Sequence, residues 1–177
     1  MNDGGGSIGG GMGGAGVDVL IAGGGVIGSS IAYFLSAEAE PGRLKIRVVE
    51  RDSTYATSST ALSVGGIRQQ FSTPENIRLS AFSARFLREA PELLAVGDEA
   101  PDLGFREEGY LFLATEEGLP ILRRNLDLQT RLGARVDLLT PRDLKSRLPW
   151  LQVADLAAGS WGMEGEGWLD PHSLLQA

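Results

Sequence analysis

Residues 18–50 read DVLIAGGGVIGSSIAYFLSAEAEPGRLKIRVVE and contain the pattern that decides the fold of this chain. An apolar run ending at Ala22 is followed by Gly23, Gly25 and Gly28, which have the spacing GxGxxG. In a strand–turn–helix unit the first glycine allows a tight turn, the second lets a pyrophosphate approach the backbone, and the third lets the helix pack on the strand. The phosphates then meet the N–H donors and the positive dipole end of the helix N-terminus.

The residues around the glycines have the periodicities that such a unit needs. An apolar helical face of Ile27, Ile31, Phe34 and Leu35 follows the turn, and an alternating strand pattern of Leu44, Ile46 and Val48 comes next. The strand ends at Glu50, about 20 residues after the glycines, where a carboxylate can accept hydrogen bonds from a ribose. This ordered context favours dinucleotide binding over a simple glycine turn, and it predicts an α/β fold that begins with a Rossmann-like βαβ unit.

The segment after Glu50 indicates which dinucleotide is bound. A short turn and an amphipathic helix would be typical of a nicotinamide-binding sheet, but residues 52–72 read DSTYATSSTALSVGGIRQQFS. A Ser-, Thr- and Gly-rich loop of this length is uncommon inside a compact domain unless it has a function. Small side chains and backbone amides could follow an extended cofactor towards a distant ring system, and FAD is long enough to need such a path.

Four blocks of sequence resemble the D-amino-acid oxidase and sarcosine oxidase-like family of FAD-dependent oxidoreductases. The blocks are DVLIAGGGVIGSSIAYFLS, VVERDSTYATSSTALSVGGIRQQFSTPENIRLSAFSARFLR, EEGYLFLAT and GMEGEGWLDPHSLLQ, and the likeness runs from residue 17 to residue 177. The resemblance implies three groups of cofactor-binding residues: Gly23, Gly25, Val26, Ile27 and Gly28 at the pyrophosphate; Glu50 and Arg51 at the adenosine ribose; and Ser59, Thr60, Gly65, Gly66 and Ile67 along the route to the flavin.

The resemblance also implies the chemistry. It predicts hydride transfer from an amine-type substrate, an amino acid or N-methyl amino acid, to the flavin, with Arg68 near the isoalloxazine as the nominated catalytic residue. A cation there could stabilise negative charge on the reduced ring or bind a substrate carboxylate. The alternative role for Arg68 is an ion pair that anchors the loop. Some relatives attach FAD through a His in this loop or through a Cys, but the chain has no Cys and its one His is His172, so we expect non-covalent FAD.

Within the family, the four blocks most resemble a mitochondrial branch linked to assembly of respiratory complex I, and the second block is the most specific of them. This likeness implies an alternative function, a flavoprotein assembly factor with respiratory-complex subunits as partners and little turnover. Trp150, Trp161 and Trp168 are candidate docking residues for it, and core packing is the favoured alternative role of these three side chains. It also implies a mitochondrial location. The glycine-rich N-terminus has none of the arginines of a presequence, and a bacterial origin would instead fit the cytoplasm.

The chain organisation predicted from sequence has three parts. Residues 1–16 form a Gly-rich tail that cannot bury a core, 17–100 the FAD-binding portion, and 101–177 the start of a substrate-side subdomain with its return to the FAD domain. Only two parallel strands precede residue 50, and a two-stranded sheet is not independently stable. We therefore expect the chain to be the N-terminal part of a larger flavoprotein, with an incomplete active site when alone.

Later elements follow from caps and periodicity. A helix begins at Thr73-Pro74, or at a capping box of Ser72 and Glu75; the pattern then predicts strands over 109–114 and 136–139 around a helix over 119–132, and helices after Thr140-Pro141 and Asp170-Pro171. The strand over 109–114, the helix over 119–132 and the strand over 136–139 predict a β-α-β arrangement.

Composition limits the remaining classes of function. With 42% hydrophobic residues, 22% charged residues and a net charge of −7, the composition is typical of a soluble globular chain, and its acidic balance argues against nucleic acid as a partner. No apolar run approaches a transmembrane span. Glu164 and Glu166 lie between glycines without visible partner ligands, so we predict a solvated loop and no metal site; His172 is predicted to be a surface or packing residue.

Overall fold

The computed structural model describes residues 16–177, so the predicted tail lies outside the described residues except for Gly16. The chain divides into two compact units, Met1–Tyr55 and Ala56–Ala177. The assignment of 17–100 to FAD binding and 101–177 to the substrate side stays a prediction.

The first unit is the predicted βαβ element. Strand β1 (Val19–Ala22) leads through the glycines into helix α1 (Val26–Glu38), and strand β2 (Ile46–Val49) returns parallel to β1, with Val19 opposite Ile46 and Ala22 opposite Val49. The Asp18 carboxylate accepts a hydrogen bond from the Lys45 backbone N–H at 2.9 Å, which ties the strand starts together. The α/β fold class is confirmed.

This unit leaves most of its apolar surface exposed. In the two strands only Ile21 is buried, whereas Leu20 is 65% exposed and Ile27, on the helix, is 75% exposed. A sheet of only two strands is marginally stable at best, so the two strands of this unit leave it short of independent stability.

The second unit is α+β. Its elements, in chain order, are β3 (Gly66–Ile67), α2 (Pro74–Leu93), β4 (Tyr110–Ala114), α3 (Leu119–Arg131), β5 (Val136–Leu139), α4 (Pro141–Arg147), β6 (Ala158–Gly162), β7 (Gly167–Trp168) and α5 (Pro171–Gln176). Strand β6 lies between β4 and β5 and is antiparallel to both. The predicted β-α-β arrangement is therefore split, because β4 and β5 do not pair with each other.

A two-stranded ribbon of β3 and β7 brings residues far apart in sequence together. Gly66 pairs with Trp168, and Ile67 with Gly167. The side chain of Ile67 packs against a core cluster of Leu87, Ala90, Leu103 and Leu169. This contact attaches the loop after residue 52 to the end of the chain.

The helix caps agree in part with the sequence predictions. Thr73 is the N-cap of α2 with Pro74 after it, but no side chain caps that helix, so the alternative capping box of Ser72 and Glu75 is wrong. Thr140 and Asp143 form a complete capping box on α4, and the Asp170 carboxylate accepts from the His172 N–H at 2.9 Å on α5. None of the helices within residues 16–177 has the length and apolar character needed to cross a membrane.

Candidate FAD site

The glycine turn has the geometry of a phosphate cradle. Gly23 has a φ of +102°, a conformation that favours glycine, and its N–H donates to the Val49 carbonyl at 2.8 Å. Gly28 packs so closely that a Cβ there would collide with the Gly23 carbonyl oxygen. Gly25 is the N-cap of α1; no side chain caps this helix, and its first turn has no acidic residue. The helix N-terminus can therefore accept a pyrophosphate, and the residues present fit FAD here.

The Glu50 side chain is hydrogen-bonded to this turn. Its carboxylate accepts hydrogen bonds from the Gly24 N–H at 2.8 Å and from the Asp52 N–H at 3.0 Å. These two amides lower the pKa of Glu50, because both hydrogen bonds favour the ionised carboxylate. Glu50 is exposed and each oxygen has a second lone pair to offer a ribose hydroxyl. Arg51 beside it is exposed. The Tyr55 hydroxyl lies close to Gly24, 2.7 Å from the position that a Cβ on this glycine would occupy, and the sequence did not predict that Tyr55 lies here.

We expect Glu50→Gln to weaken FAD binding by at least about tenfold, because a neutral amide loses charge-assisted hydrogen bonds and points one N–H₂ at a backbone donor. The dissociation constant is measured by flavin fluorescence during titration of apoprotein. Glu38→Gln, an exposed change at the C-terminal end of helix α1, is the control. Equal affinity for both variants would contradict a role of Glu50 at the ribose.

The predicted residues of the flavin route lie in the second unit. Ser59 is exposed and Thr60 half-buried in a turn region, and Gly65 begins the path into β3. Gly65 has a φ of +66°, and a Cβ there would collide with the Leu169 carbonyl oxygen. Gly66 and Ile67 form β3 itself. The site assignments for these residues stay predictions.

Arg68 follows directly and is held by aromatic rings. Its guanidinium carbon lies 4.7 Å from the ring centre of Phe71, 5.4 Å from that of Phe112 and 5.8 Å from that of Tyr110. Within residues 16–177 the guanidinium makes neither a salt bridge nor a hydrogen bond. The alternative of a loop-anchoring ion pair is therefore wrong for the described part of the chain, and the N–H donors of a half-buried cation are available to an anion.

A buried polar cluster lies next to Arg68 and corrects another prediction. Glu166 is only 1% exposed, not part of a solvated loop. One carboxylate oxygen accepts from the Gln69 N–H at 2.5 Å and the Gln70 N–H at 2.9 Å, and the other from the Gln70 side-chain amide at 2.8 Å. Burial raises the pKa of Glu166, an effect that these hydrogen bonds and the Arg68 charge oppose. Glu164, in contrast, is exposed and pairs with Arg135 at 2.8 Å.

Gln70 extends the cluster to the sheet. Its amide N–H₂ also donates to the Tyr110 carbonyl at 2.8 Å, and its carbonyl oxygen accepts from the Ser160 hydroxyl at 2.5 Å. The glycines around Glu166 make room for these contacts: a Cβ at Gly162 would collide with the Glu166 carboxylate, and one at Gly165 with the Gln69 side chain. The glycine spacing in GMEGEGW was the only signal in the sequence for this cluster.

An apolar cavity of about 370 Å³ opens beside the cluster, in the second unit. Its walls include Phe112, Ile121 and Leu122, with Gln70 and Gln129 among the polar groups. The Gln129 side chain donates to the Phe71 carbonyl at 3.0 Å, and its own carbonyl oxygen is buried without a hydrogen-bond partner in the described structure. Residues 16–177 contain no group of three His, Cys, Asp or Glu side chains that could hold a metal.

We expect the second unit to lose stability in acid when the Glu107 carboxylate is protonated, because the ionised carboxylate stabilises the fold. Arg88 makes two hydrogen bonds to its carboxylate, at 2.9 and 2.5 Å, and this pairing, with a smaller contribution from the Gly165 N–H, lowers its pKa. A depressed folded-state pKa gives stability that is present above the ordinary value of 4.5 and is lost as pH falls through the folded value.

Melting temperatures measured from neutral pH down to below pH 4.5 check the prediction. Glu107→Gln should flatten the acid side of the profile, whereas the exposed Glu117→Gln should leave it unchanged. The raised pKa of Glu166 acts with the opposite sign, so the comparison of variants isolates the Glu107 contribution. Parallel profiles for Glu107→Gln and wild type would contradict it.

A Rossmann-like glycine turn with an acid at the end of the second strand defines the class of dinucleotide-binding proteins, which includes the FAD-binding oxidoreductases. Residues 18–177 match the DAO family, described as FAD dependent oxidoreductase, and the chain belongs to this family. The resemblance and the FAD prediction are confirmed, because FAD is the cofactor of the family.

Curated relatives include a group with the same description. FAD-dependent oxidoreductase domain-containing protein 1 from Bos taurus is 53% identical over 161 residues, and its Drosophila melanogaster homolog is 52% identical over 158. The alignments cover 90% and 89% of this chain but 33% and 30% of those proteins. A glycine oxidase from Geobacillus kaustophilus is 30% identical, with 90% of this chain and 42% of that protein covered. The chain thus spans about a third of the length of FAD-dependent oxidoreductase domain-containing protein 1 from Bos taurus and from Xenopus laevis.

Solved structures agree with the fold. L-proline dehydrogenase from P. horikoshii superposes with a TM-score of 0.74 at 27% identity, covering 90% of this chain and 40% of that one. Glycine oxidase from Geobacillus kaustophilus gives a TM-score of 0.67 at 25% identity, covering 90% and 42%.

Proposed function

We propose that this chain is the cofactor-binding part of an enzyme that oxidises an amino acid or N-methyl amino acid at the carbon next to nitrogen. FAD, when bound, supplies the acceptor for the hydride. Two kinds of relative, glycine oxidase and L-proline dehydrogenase, are named for amino acids, which supports an amine substrate. The chain spans about a third of the length of the curated relatives from Bos taurus and Xenopus laevis, so the activity of a whole protein of their length is part of this proposal.

The observation that carries the proposal is the unpaired Arg68 guanidinium. Three aromatic ring centres lie within 5.8 Å of it, and none of the carboxylates in the described part of the chain forms a salt bridge with it, although the Glu166 charge acts on it from nearby. A cation in this state can bind the carboxylate of an amino acid or stabilise negative charge that develops on a reduced ring. In both roles its N–H donors must be free of protein anions, as they are here.

The test compares wild-type and Arg68→Gln full-length protein under anaerobic conditions. Glutamine keeps a polar side chain but removes the charge, so flavin reduction by proline or N-methylglycine should slow by about tenfold or more. Arg78→Gln, an exposed change on α2, is the control. Equal rates for Arg68→Gln and wild type, with FAD content unchanged, would contradict the proposed role of Arg68.

A second candidate function is assembly of respiratory complex I in mitochondria, with FAD kept as a structural element. One observation favours it: Trp150 is 78% exposed and Trp168 51% exposed, and large exposed aromatic side chains suit a docking surface. Trp161 does not contribute in the same way, because it is half-buried with the Arg147 guanidinium over its ring. The location and the subunit partners in this proposal depend on resemblance alone. The two candidates differ in whether any amine reduces the bound flavin.

A further inference from the structure

We propose that Glu166 is a positioning residue that fixes the segment of Arg68, Gln69 and Gln70, and thereby the place where the Arg68 cation acts. This inference rests on the proposed function, since it assigns the support of the same site. The contacts that support it all lie within the second unit.

The Glu166 carboxylate binds the segment at three points. It accepts from two consecutive backbone N–H groups, those of Gln69 and Gln70, and from the Gln70 side chain. Two consecutive amides held by one oxygen fix the orientation of the peptide units directly after Arg68. At 1% exposure, Glu166 meets no competing solvent, so these bonds define the local backbone.

The same cluster places the rings around the guanidinium. Gln70 donates to the carbonyl of Tyr110, the strand residue whose ring lies under Arg68, and Phe71, the nearest ring, follows Gln70 in sequence. The cation and its aromatic surroundings are therefore attached to one network. Three N–H donors already satisfy the Glu166 carboxylate, which explains how a buried anion can lie near Arg68 without forming a salt bridge with it.

The alternative is that Glu166 matters only as a negative charge near Arg68. The two roles predict opposite effects on an anion that binds beside the cation. Removing a negative charge alone would strengthen anion binding. Losing the support of Arg68 would weaken it, because glutamine at 166 turns an N–H₂ group towards one of the donors and releases the segment.

Sulfite is the probe, because it adds to oxidised flavin more tightly when a positive charge lies beside the ring. Its dissociation constant is measured from bleaching of the flavin band in full-length holoprotein for wild type, Arg68→Gln, Glu166→Gln and Glu164→Gln. Glu164 is the matched control, two positions away, exposed and paired with Arg135. We expect Arg68→Gln and Glu166→Gln each to weaken sulfite binding by about tenfold, and Glu164→Gln to leave it unchanged.

Each outcome decides between the claims. Unchanged or tighter sulfite binding in Glu166→Gln, with Arg68→Gln weakened, would overturn the positioning role and leave the proposed function standing. No effect of Arg68→Gln would instead contradict the proposed function. If Glu166→Gln loses FAD, the milder Glu166→Asp takes its place. Loss of FAD from both while Arg68→Gln retains it would also overturn the proposal, because Glu166 would then serve the fold and not Arg68.

Discussion

Gly28→Ala in the full-length protein is expected to abolish FAD binding. The new Cβ would collide with the Gly23 carbonyl oxygen and stand 3.2 Å from the Ile21 side chain, so the turn itself must move. Alanine would favour the helix by about 1 kcal/mol, but overpacking typically costs about 1–3 kcal/mol, and a collision with a backbone oxygen that cannot rotate away lies at the upper end, about 3 kcal/mol. The collision therefore wins by about 2 kcal/mol, and the displaced turn no longer presents its amides to a pyrophosphate.

The flavin-to-protein ratio and the melting temperature measure this effect. Gly24→Ala is the matched control, since its Cβ would meet the Tyr55 hydroxyl, the far end of a side chain that can rotate away. We expect Gly24→Ala to keep most of its FAD. A yellow, wild-type-like Gly28→Ala would show that the pyrophosphate does not bind at this turn.

Glu166→Ala is expected to destabilise the second unit by about 3 to 5 kcal/mol, because three N–H donors lose their acceptor and each unsatisfied buried donor costs about 1–3 kcal/mol. Those donors are the backbone N–H groups of Gln69 and Gln70 and the Gln70 side chain. Part of the loss is recovered where water enters the space left by the side chain.

Denaturant unfolding of the full-length protein checks the estimate. Glu164→Ala removes only an exposed ion pair with Arg135 and should cost less than about 1 kcal/mol. Similar midpoints for the two alanine variants would mean that the Glu166 cluster contributes little to stability.

The first unit could be predicted from the sequence because its signals are local. The glycine spacing, the helical face after Gly28 and the alternation before Glu50 each depend on neighbouring residues, and all three recur as β1, α1 and β2. The capping box of Thr140 and Asp143 is local in the same way. Backbone sterics and short-range hydrogen bonds determine such features, and a single sequence displays them directly.

The Glu166 cluster could not be predicted, for two physical reasons. Gly159 and Gly162 lower the strand propensity of β6, so this central strand was not recognised and the partners of Glu166 stayed hidden. The contacts themselves join residues 69 and 70 to residue 166, and a single sequence does not show which distant segments pair. The glycines in this segment indicate a solvated loop when only the sequence is considered. In the structure they leave space that a carboxylate and an amide side chain fill.

Anaerobic titration of the full-length holoprotein with amino acids and N-methyl amino acids tests the central claim most directly. Loss of the flavin absorption band with at least one such amine, in proportion to the amine added, is the result that an amine-oxidising flavoenzyme predicts. A flavin that dithionite reduces but that none of these amines bleaches would contradict the claim and favour the assembly function.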